Sequence, residues 1–501
     1  MKNIYKNKIR QVLPRVLSFY DNNYVSNNFG SGDRTRWAWG LNDFSNSTYV
    51  CSMFGLSCLI KSNFFLNKKN KILKIIDNMF FNIDQVIKNN FGFNESFPNE
   101  NSFCVTALVA DSVIGAFQNL QNILDEKKRK KYFKICTQVI NKLDELHEGH
   151  AFISNHLATA SLAYARYWKI TKKNIYKKKY FTLINKILKN QSSEGWYKEY
   201  ESFDPGYETL TINYLSQILQ ISENQKLKKS LIKSSNFLSL FILSNNSLGG
   251  VYGSRGTEFI FPGGFEILNK EKINFPIQKV RLGIKSLSHA TILSVDDMNL
   301  IPMFNSYCLG LINCSGGKNI KKNIKINKYF KHSGILLIKN NNFELIINCK
   351  KGGCYNYLKN KKLITNYGTL IKYNKKFAST QKYDQNNIIK IHKNKVHIIS
   401  DFKKINYKSI TQIQFIILRI LCLSFFKIKF FREKFKILAS KILISNNKKI
   451  KAYNIREISI FKDGIQFNDK INSKFFYKKI NSFTPFSHIH MASRGYWHSS
   501  K

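Results

Sequence analysis

Two short motifs carry the residue types needed for proton transfer beside a carboxylate. Ser154-Asn155-His156 and Asp204-Pro205-Gly206-Tyr207 each open a run of helically spaced apolar residues. Ser154 is expected to cap the first helix, which puts Asn155 and His156 in its first turn. Asp204 is expected to cap the second, with Pro205 at the first helical position and Tyr207 in the first turn. Free N–H groups and the positive dipole end at such starts favour anions. A carboxylate beside Asn155 and His156 is therefore well placed, and a tyrosinate at Tyr207 is somewhat favoured. Removing a proton α to a carboxylate is hard because the resulting dianion is unstable. Donors such as Asn, His or Arg must neutralise the carboxylate, and a base must take the proton. Tyr or His can be that base, and the same or another group can protonate the departing glycosidic oxygen. The chemistry that results is β-elimination on a uronate-containing polysaccharide.

Each of these residues also has an ordinary structural use. Asn at a helix start usually caps, a first-turn Tyr usually packs, and a lone His is usually a satisfied polar group. Their joint placement on one face is what carries the catalytic reading. GGVYGSRGTEFIFPGGFE (249–266) adds Arg255 in a glycine-rich loop without a phosphate-binding signature. Arg36, Trp37, Trp39, Asn99, Glu100 and Trp196 lie in other polar loops and are candidates for substrate contact, the tryptophans as sugar-stacking platforms. An alternative is hydrolysis by paired carboxylates drawn from Glu199, Glu201, Asp204 and Glu208.

Elements that position these residues can be read from the spacing. Four polar, aromatic-rich loops each lead into an apolar helix, with helix starts near Asn46, Asn101, Ser154 and Asp204, separated by 55, 53 and 50 residues. A period of that size fits one helical hairpin plus its loops. The helices after the loops are rich in Ala, Ser and Thr and so pack closely on both sides. Lys-rich amphipathic segments such as 69–87 and 178–189 lie between them and read as return helices. An inner ring with outer return helices puts all four loops on one face of an α/α toroid, here an incomplete hairpin barrel over 1–318. From about 325 the pattern becomes short β-like runs in 332–340, 342–350, 387–393 and 395–402, with a further pair in 452–468. The expected fold is thus α+β and multidomain, a toroid followed by an antiparallel β-sandwich over 325–501. A basic, apolar helical insertion interrupts the sandwich at 411–447.

Composition sets outer bounds. The chain has 501 residues, 43% apolar and 22% charged, which excludes a wholly disordered chain. Its formal charge is +49, but the lysines are spread through every segment and there is no local Arg cluster, so no specific nucleic-acid partner is expected. The charge does allow peripheral contact with an anionic membrane. The most apolar stretch, 410–426, is interrupted by Arg419 and falls short of the ~20 residues a span needs. The N-terminal segment has no continuous apolar core of the secretory kind, so a cytoplasmic place, or a peripheral one at the inner membrane, is expected. Nine cysteines without metal-ligand spacing read as reduced core thiols, and neither metal nor cofactor is expected.

At the level of motifs the chain resembles the heparinase II/III-like family of α/α-toroid polysaccharide lyases. The matching pieces are SNHLATASLAYARYW, EGWYKEYESFDPGYETLTINYL, GGVYGSRGTEFIFPGGFE, HSGILLI with NCKKGG, and FSHIHMASRGYW. The resemblance is nearest to the branch found among surface-polysaccharide biosynthesis genes. It implies a lyase acting on an acidic, glycosaminoglycan-like polysaccharide. It also implies that Asn155 and His156 neutralise the uronate carboxylate, that Tyr207 is the acid and in some members also the base, and that His332, at the sandwich edge, is the base. Arg255 falls in a motif of this branch. A non-catalytic glycan-binding or assembly protein at the inner membrane surface is a further alternative, with the 411–447 segment as an interfacial helix.

Overall fold

The computed structural model describes residues 2–26, 29–32, 46–89, 92–95, 97–149, 151–317, 325–405, 411–443 and 448–480. Arg36, Trp37, Trp39 and the FSHIHMASRGYW segment lie outside the described residues.

The first part is helical: α1 (Lys2–Leu17), α2 (Ser52–Lys61), α3 (Lys69–Lys88), α4 (Phe103–Leu120), α5 (Glu126–Asp144), α6 (Ser154–Thr171), α7 (Asn174–Lys189), α8 (Pro205–Ile221), α9 (Gln225–Ser239), α10 (Pro262–Lys270), α11 (Ile277–Ser286) and α12 (Asp297–Asn313). The even-numbered helices form the inner ring. Each packs on the next, and α12 packs back on α2, so the barrel expected to be incomplete is closed. Small residues make this possible. In α6, Ala158, Thr159, Ala160, Ser161, Ala163 and Ala165 are all buried, which lets neighbours approach from both sides. Helix α10 was not foreseen because PGGFEI reads as a loop. Its glycines are instead close-packing sites: a Cβ at Gly263 would meet the Ser306 carbonyl oxygen at 2.5 Å, and one at Gly264 the Asn213 Cα at 2.6 Å.

The outer helices bury one stripe only. In α3, Ile72, Ile76, Met79, Phe80 and Ile83 face inward at helical spacing. Buried polar ties also join the ring helices; Arg166 of α6, for example, donates to Asp111 of α4 at 2.6 Å and to Gln217 of α8 at 2.6 Å. Among the described residues α4 alone is long and apolar enough to cross a membrane, and 78% of that window is buried within the ring.

The second part holds β1 (Ile326–Phe330), β2 (Ile335–Lys339), β3 (Glu344–Asn348), β4 (Cys354–Lys359), β5 (Lys362–Asn366), β6 (Leu370–Tyr373), β7 (Lys376–Ser379), β8 (Ile388–His392) and β9 (Lys395–Ile405). The insertion follows as α13 (Gln412–Leu423) and α14 (Lys429–Leu443), and then β10 (Lys449–Phe461), β11 (Gly464–Ser473) and β12 (Lys478–Ile480). Strands β1 to β5 form one antiparallel sheet in chain order. The other sheet runs β11-β10-β9-β7-β6-β12, with β8 also paired to β9.

The β2 strand shows why its sequence is apolar without alternation. Leu336 and Ile338 join Val396, Ile398 and Ile458 between the two sheets. Ile335 and Leu337 on its other face join the core of the helical ring. The centre of the first sheet, β2 to β4, is therefore buried on both sides, between the toroid and the second sheet. Strands β4 to β7 were not foreseen. Their hairpins turn on Asn360-Lys361 and Asn374-Lys375, all four with positive φ, where Asn-Gly would have been the readable signal.

Candidate active site

The loops before α6, α8 and α10 meet at one end of the ring. Tyr200 donates its N–H to the Phe152 carbonyl at 3.2 Å, and Ser254 donates to the Phe203 carbonyl at 2.9 Å. The cap of α8 matches the sequence: Asp204 accepts the Tyr207 N–H, with Pro205 in the first turn. Asp204 also accepts the Arg255 N–H at 2.8 Å and the Thr257 hydroxyl, which binds the 249–257 loop to the helix start. Only glycine fits at 206, since a Cβ there would collide with the Thr257 hydroxyl. The start of α6 differs from expectation. Its cap is Ile153, while Ser154 is the first helical residue and donates its hydroxyl to the Lys198 carbonyl at 2.6 Å.

Asn155, Tyr207 and Arg255 come together with Glu199 and Tyr200. The Asn155 amide donates to Glu199 Oε2 at 2.8 Å. The guanidinium carbon of Arg255 lies 4.5 Å from the Tyr200 ring centroid and 5.3 Å from that of Tyr207. Such contacts place a cation against two ring faces. Among the described residues Arg255 Nε and Nη1 are buried and have no hydrogen-bond partner. Buried guanidinium N–H groups are seldom left unpaired, and they match a carboxylate in geometry and charge. Tyr200 holds its place with φ at +56°, a strained value for a non-glycine residue.

Electrostatics fit this picture. Burial pushes the Glu199 carboxyl up to about 8, with Arg255 and the Asn155 hydrogen bond opposing. At neutral pH it is therefore largely protonated, and a protonated carboxyl can donate. Burial also raises the Tyr207 phenol above its ordinary value, while Arg255 pulls it down. The Tyr207 ring meets Phe259 edge-on at 5.5 Å, and among the described residues its hydroxyl has no hydrogen-bond partner.

His156 stands beside the cluster. Its Nδ1 is 2.6 Å from Glu148 Oε2, a pairing that fixes the orientation of the ring. Glu148 was not singled out from the sequence. The signal was its place in HEGHAFISNH, the loop that also delivers His156. Burial and the surrounding Glu95, Glu148, Glu100 and Glu199 hold the Cys104 thiol well above its usual value, which places the start of α4 at the same end of the ring.

Other expected residues lie elsewhere. His332 is exposed on the β1–β2 turn, and its ring shares no hydrogen bond or ion pair with the cluster. Its N–H instead donates to Glu194 Oε1 at 2.6 Å, and Ser333 donates to Oε2 at 3.0 Å, which docks the sandwich on the toroid. Trp196 belongs to the same junction. It is buried, with its indole N–H donated to Glu194 at 2.9 Å, so its ring offers no sugar platform. Asn99 and Glu100 face the insertion, through Asn99 to the Cys422 carbonyl at 2.9 Å and Glu100 to Lys436 at 3.6 Å. The sandwich reaches the cluster through Lys351, which was not foreseen. Its ammonium donates to the Val251 and Gly253 carbonyls and so fixes the loop that carries Arg255.

Of the four carboxylates considered for hydrolysis, two are committed. Asp204 holds the helix start. Glu208 is buried and accepts from the Tyr197 N–H at 2.9 Å and the Ser234 hydroxyl at 2.5 Å. Among the described residues no group of three or more His, Cys, Asp and Glu could hold a metal ion.

No protein-family model matches the chain, and no curated protein matches it. Solved structures do share features with it. A chondroitin AC lyase of Streptomyces coelicolor A3, in complex with chondroitin sulphate, gives a TM-score of 0.48 at 6% identity, over 81% of this chain and 67% of that one. A xanthan lyase of Paenibacillus gives 0.46 at 9%, over 80% and 45%. A cellobiose 2-epimerase of Bacillus thermoamylovorans B4167 gives 0.44 at 11%, over 62% and 98%. The functional reading therefore rests on the side chains of the cluster.

Proposed function

We propose that this chain cleaves an acidic polysaccharide by β-elimination at a uronate residue. The observation that carries the reading is the Arg255 guanidinium, set against Tyr200 and Tyr207 with two buried nitrogens, Nε and Nη1, unpartnered among the described residues. A substrate carboxylate supplies the missing partner. Asn155 and protonated Glu199 add neutral donors to the same carboxylate, which lowers the cost of forming the dianion. Tyr207 is neutral at rest, as an acid that protonates the leaving oxygen must be. His156, oriented by Glu148, is the base available for the α proton. This gives His156 the part that the family resemblance assigned to His332.

A second reading, hydrolysis, is favoured by one observation: Glu199, neutral at pH 7, suits a general acid. The products decide between them. Elimination gives a fragment with an unsaturated uronate at its new non-reducing end, one water lighter than its hydrolytic counterpart, and it requires the carboxylate. Mass spectrometry of digests of a uronate polysaccharide and of its carboxyl-reduced form is the test. Unsaturated fragments from the first and none from the second are expected. Saturated fragments from both would replace elimination with hydrolysis.

A further inference from the structure

Among the described residues the insertion at α13–α14 carries a large unpartnered apolar surface. In α13, Ile413, Ile416, Ile417, Ile420 and Leu423 recur at helical spacing and are all exposed, Ile413 by 70%. In α14, Phe430, Phe431, Ile437 and Leu438 form a second exposed stripe, Phe430 by 63%. The opposite faces are accounted for. Phe426 and Phe435 pack on Phe97 of the loop before α4, and Arg432 donates to the Phe426 carbonyl at 3.0 Å. The pair is thus anchored by one side, and its other side is open. Apolar surface of this extent in one place marks an interaction site.

Charge selects the occupant. Residues 411–443 contain seven Lys and Arg and one acidic residue. Lys427 and Lys434 are exposed beside the open stripes. An apolar stripe with cations at its margin complements an anionic lipid surface, with the stripe entering the acyl boundary and the ammonium groups at the phosphates. Length decides between lying on the bilayer and crossing it. The α13 helix has 12 residues, and the chain breaks at Ser424–Ile428 before α14, so neither helix reaches the ~20 residues of a span.

Position links this surface to the site. The insertion leans on the loop before α4 through Asn99 and Glu100, and on the loop before α6 through Lys429, which donates to the Glu145 carbonyl at 3.4 Å. That second loop also carries Glu148, the partner of His156. We propose that the α13–α14 pair docks the protein on an anionic lipid bilayer, with the cluster of Asn155, Tyr207 and Arg255 at the membrane-facing end of the ring. The substrate is then an acidic glycan held close to the bilayer. The glycan rests on the elimination reading, whereas the lipid contact does not.

The test is co-sedimentation of the full chain with vesicles of phosphatidylcholine containing about 30 mol % phosphatidylglycerol, and with phosphatidylcholine alone. The wild type is expected to partition at least about tenfold more strongly onto the anionic vesicles, less so as salt rises. Ile416→Asp with Ile420→Asp, and separately Phe430→Asp with Leu438→Asp, should each weaken partitioning by about tenfold or more. Circular dichroism and cleavage of a soluble substrate should be unchanged, because these side chains are exposed. Equal binding to both vesicle types, or variants that bind like the wild type, would overturn the docking. So would a wild-type dimer that the same substitutions convert to monomer without any vesicle binding, since a second copy would then cover the face. Vesicle binding without cleavage of any uronate polymer would support the docking and remove the elimination reading. Cleavage without vesicle binding would do the reverse.

Discussion

Arg255 and Tyr207 stand face to face at the end of the toroid, the guanidinium carbon 5.3 Å from the phenol ring centroid. They come from loops about fifty residues apart and are joined through Asp204, which caps the helix of one and accepts the backbone N–H of the other. One buried carboxylate thus sets the distance between the group proposed to receive a substrate anion and the group proposed to handle its proton.

Arg255→Lys should lower kcat/KM by about a hundredfold or more, although the charge is kept. Lysine cannot offer the paired N–H groups that a carboxylate takes from a guanidinium. Loss of one donor at a developing oxyanion typically costs about 10²–10³ in rate. Steady-state kinetics on a uronate polymer would show it, and a wild-type rate in the lysine variant would remove the anion-binding role.

His156 and His332 should separate cleanly. His156→Ala and Glu148→Gln are expected to cut kcat by about 10²-fold or more, through loss of the base and of its orientation. His332→Ala should change kcat by less than about twofold, because its ring is exposed and apart from the cluster. Comparable losses in His156→Ala and His332→Ala would restore the role that the family resemblance gives to His332.

The grouping of Asn155, Tyr207 and Arg255 in one candidate site was legible because its signals were local. Asp204, Pro205 and Tyr207 are a cap, a first helical residue and a first-turn side chain, three constraints within four positions. Arg255 was legible as the cation of a glycine-rich loop. The pairing of Glu148 with His156 was not, since it spans eight residues of irregular loop and no periodicity marks it. Nor was the commitment of Trp196 to Glu194, because an aromatic residue in a polar loop reads the same whether it faces sugar or a second domain. In the sandwich, the Asn-Lys turns hid four strands, because lysine gives no sign of positive φ.

Stability should fall as pH rises through the neutral range. Glu199 and Glu208 both sit at about 8 in the folded protein, raised from 4.5 chiefly by burial. Between about pH 5 and 8 the folded chain keeps protons that the unfolded chain has released, so deprotonation favours unfolding. Each raised unit is worth about 1.4 kcal/mol, so denaturation midpoints at pH 5.5 and 8 should differ measurably. Glu208→Gln should flatten that dependence while keeping the neutral hydrogen-bonding shape. A variant as steep as the wild type would show that Glu208 is charged in the fold.

Asp469→Asn should destabilise the sandwich by about 3–5 kcal/mol. Arg456 is buried and donates to both Asp469 oxygens, at 2.7 and 2.8 Å. Removing the carboxylate charge strands a guanidinium between the sheets. Denaturant unfolding followed on the β signal would measure the loss, and a change under about 1 kcal/mol would mean that the remaining acceptors, Gly353 and Asn366, suffice.

The central claim is elimination with Tyr207 as the proton-transfer group, and ultraviolet absorbance during incubation with a panel of uronate polysaccharides tests it most directly. The wild type should generate the rising absorbance of an unsaturated uronate on at least one member of the panel. Tyr207→Phe should abolish the rise while keeping the wild-type unfolding midpoint, since among the described residues the lost hydroxyl has no hydrogen-bond partner. A Tyr207→Phe trace that matches the wild type, or new reducing ends without any rise in absorbance, would contradict the claim.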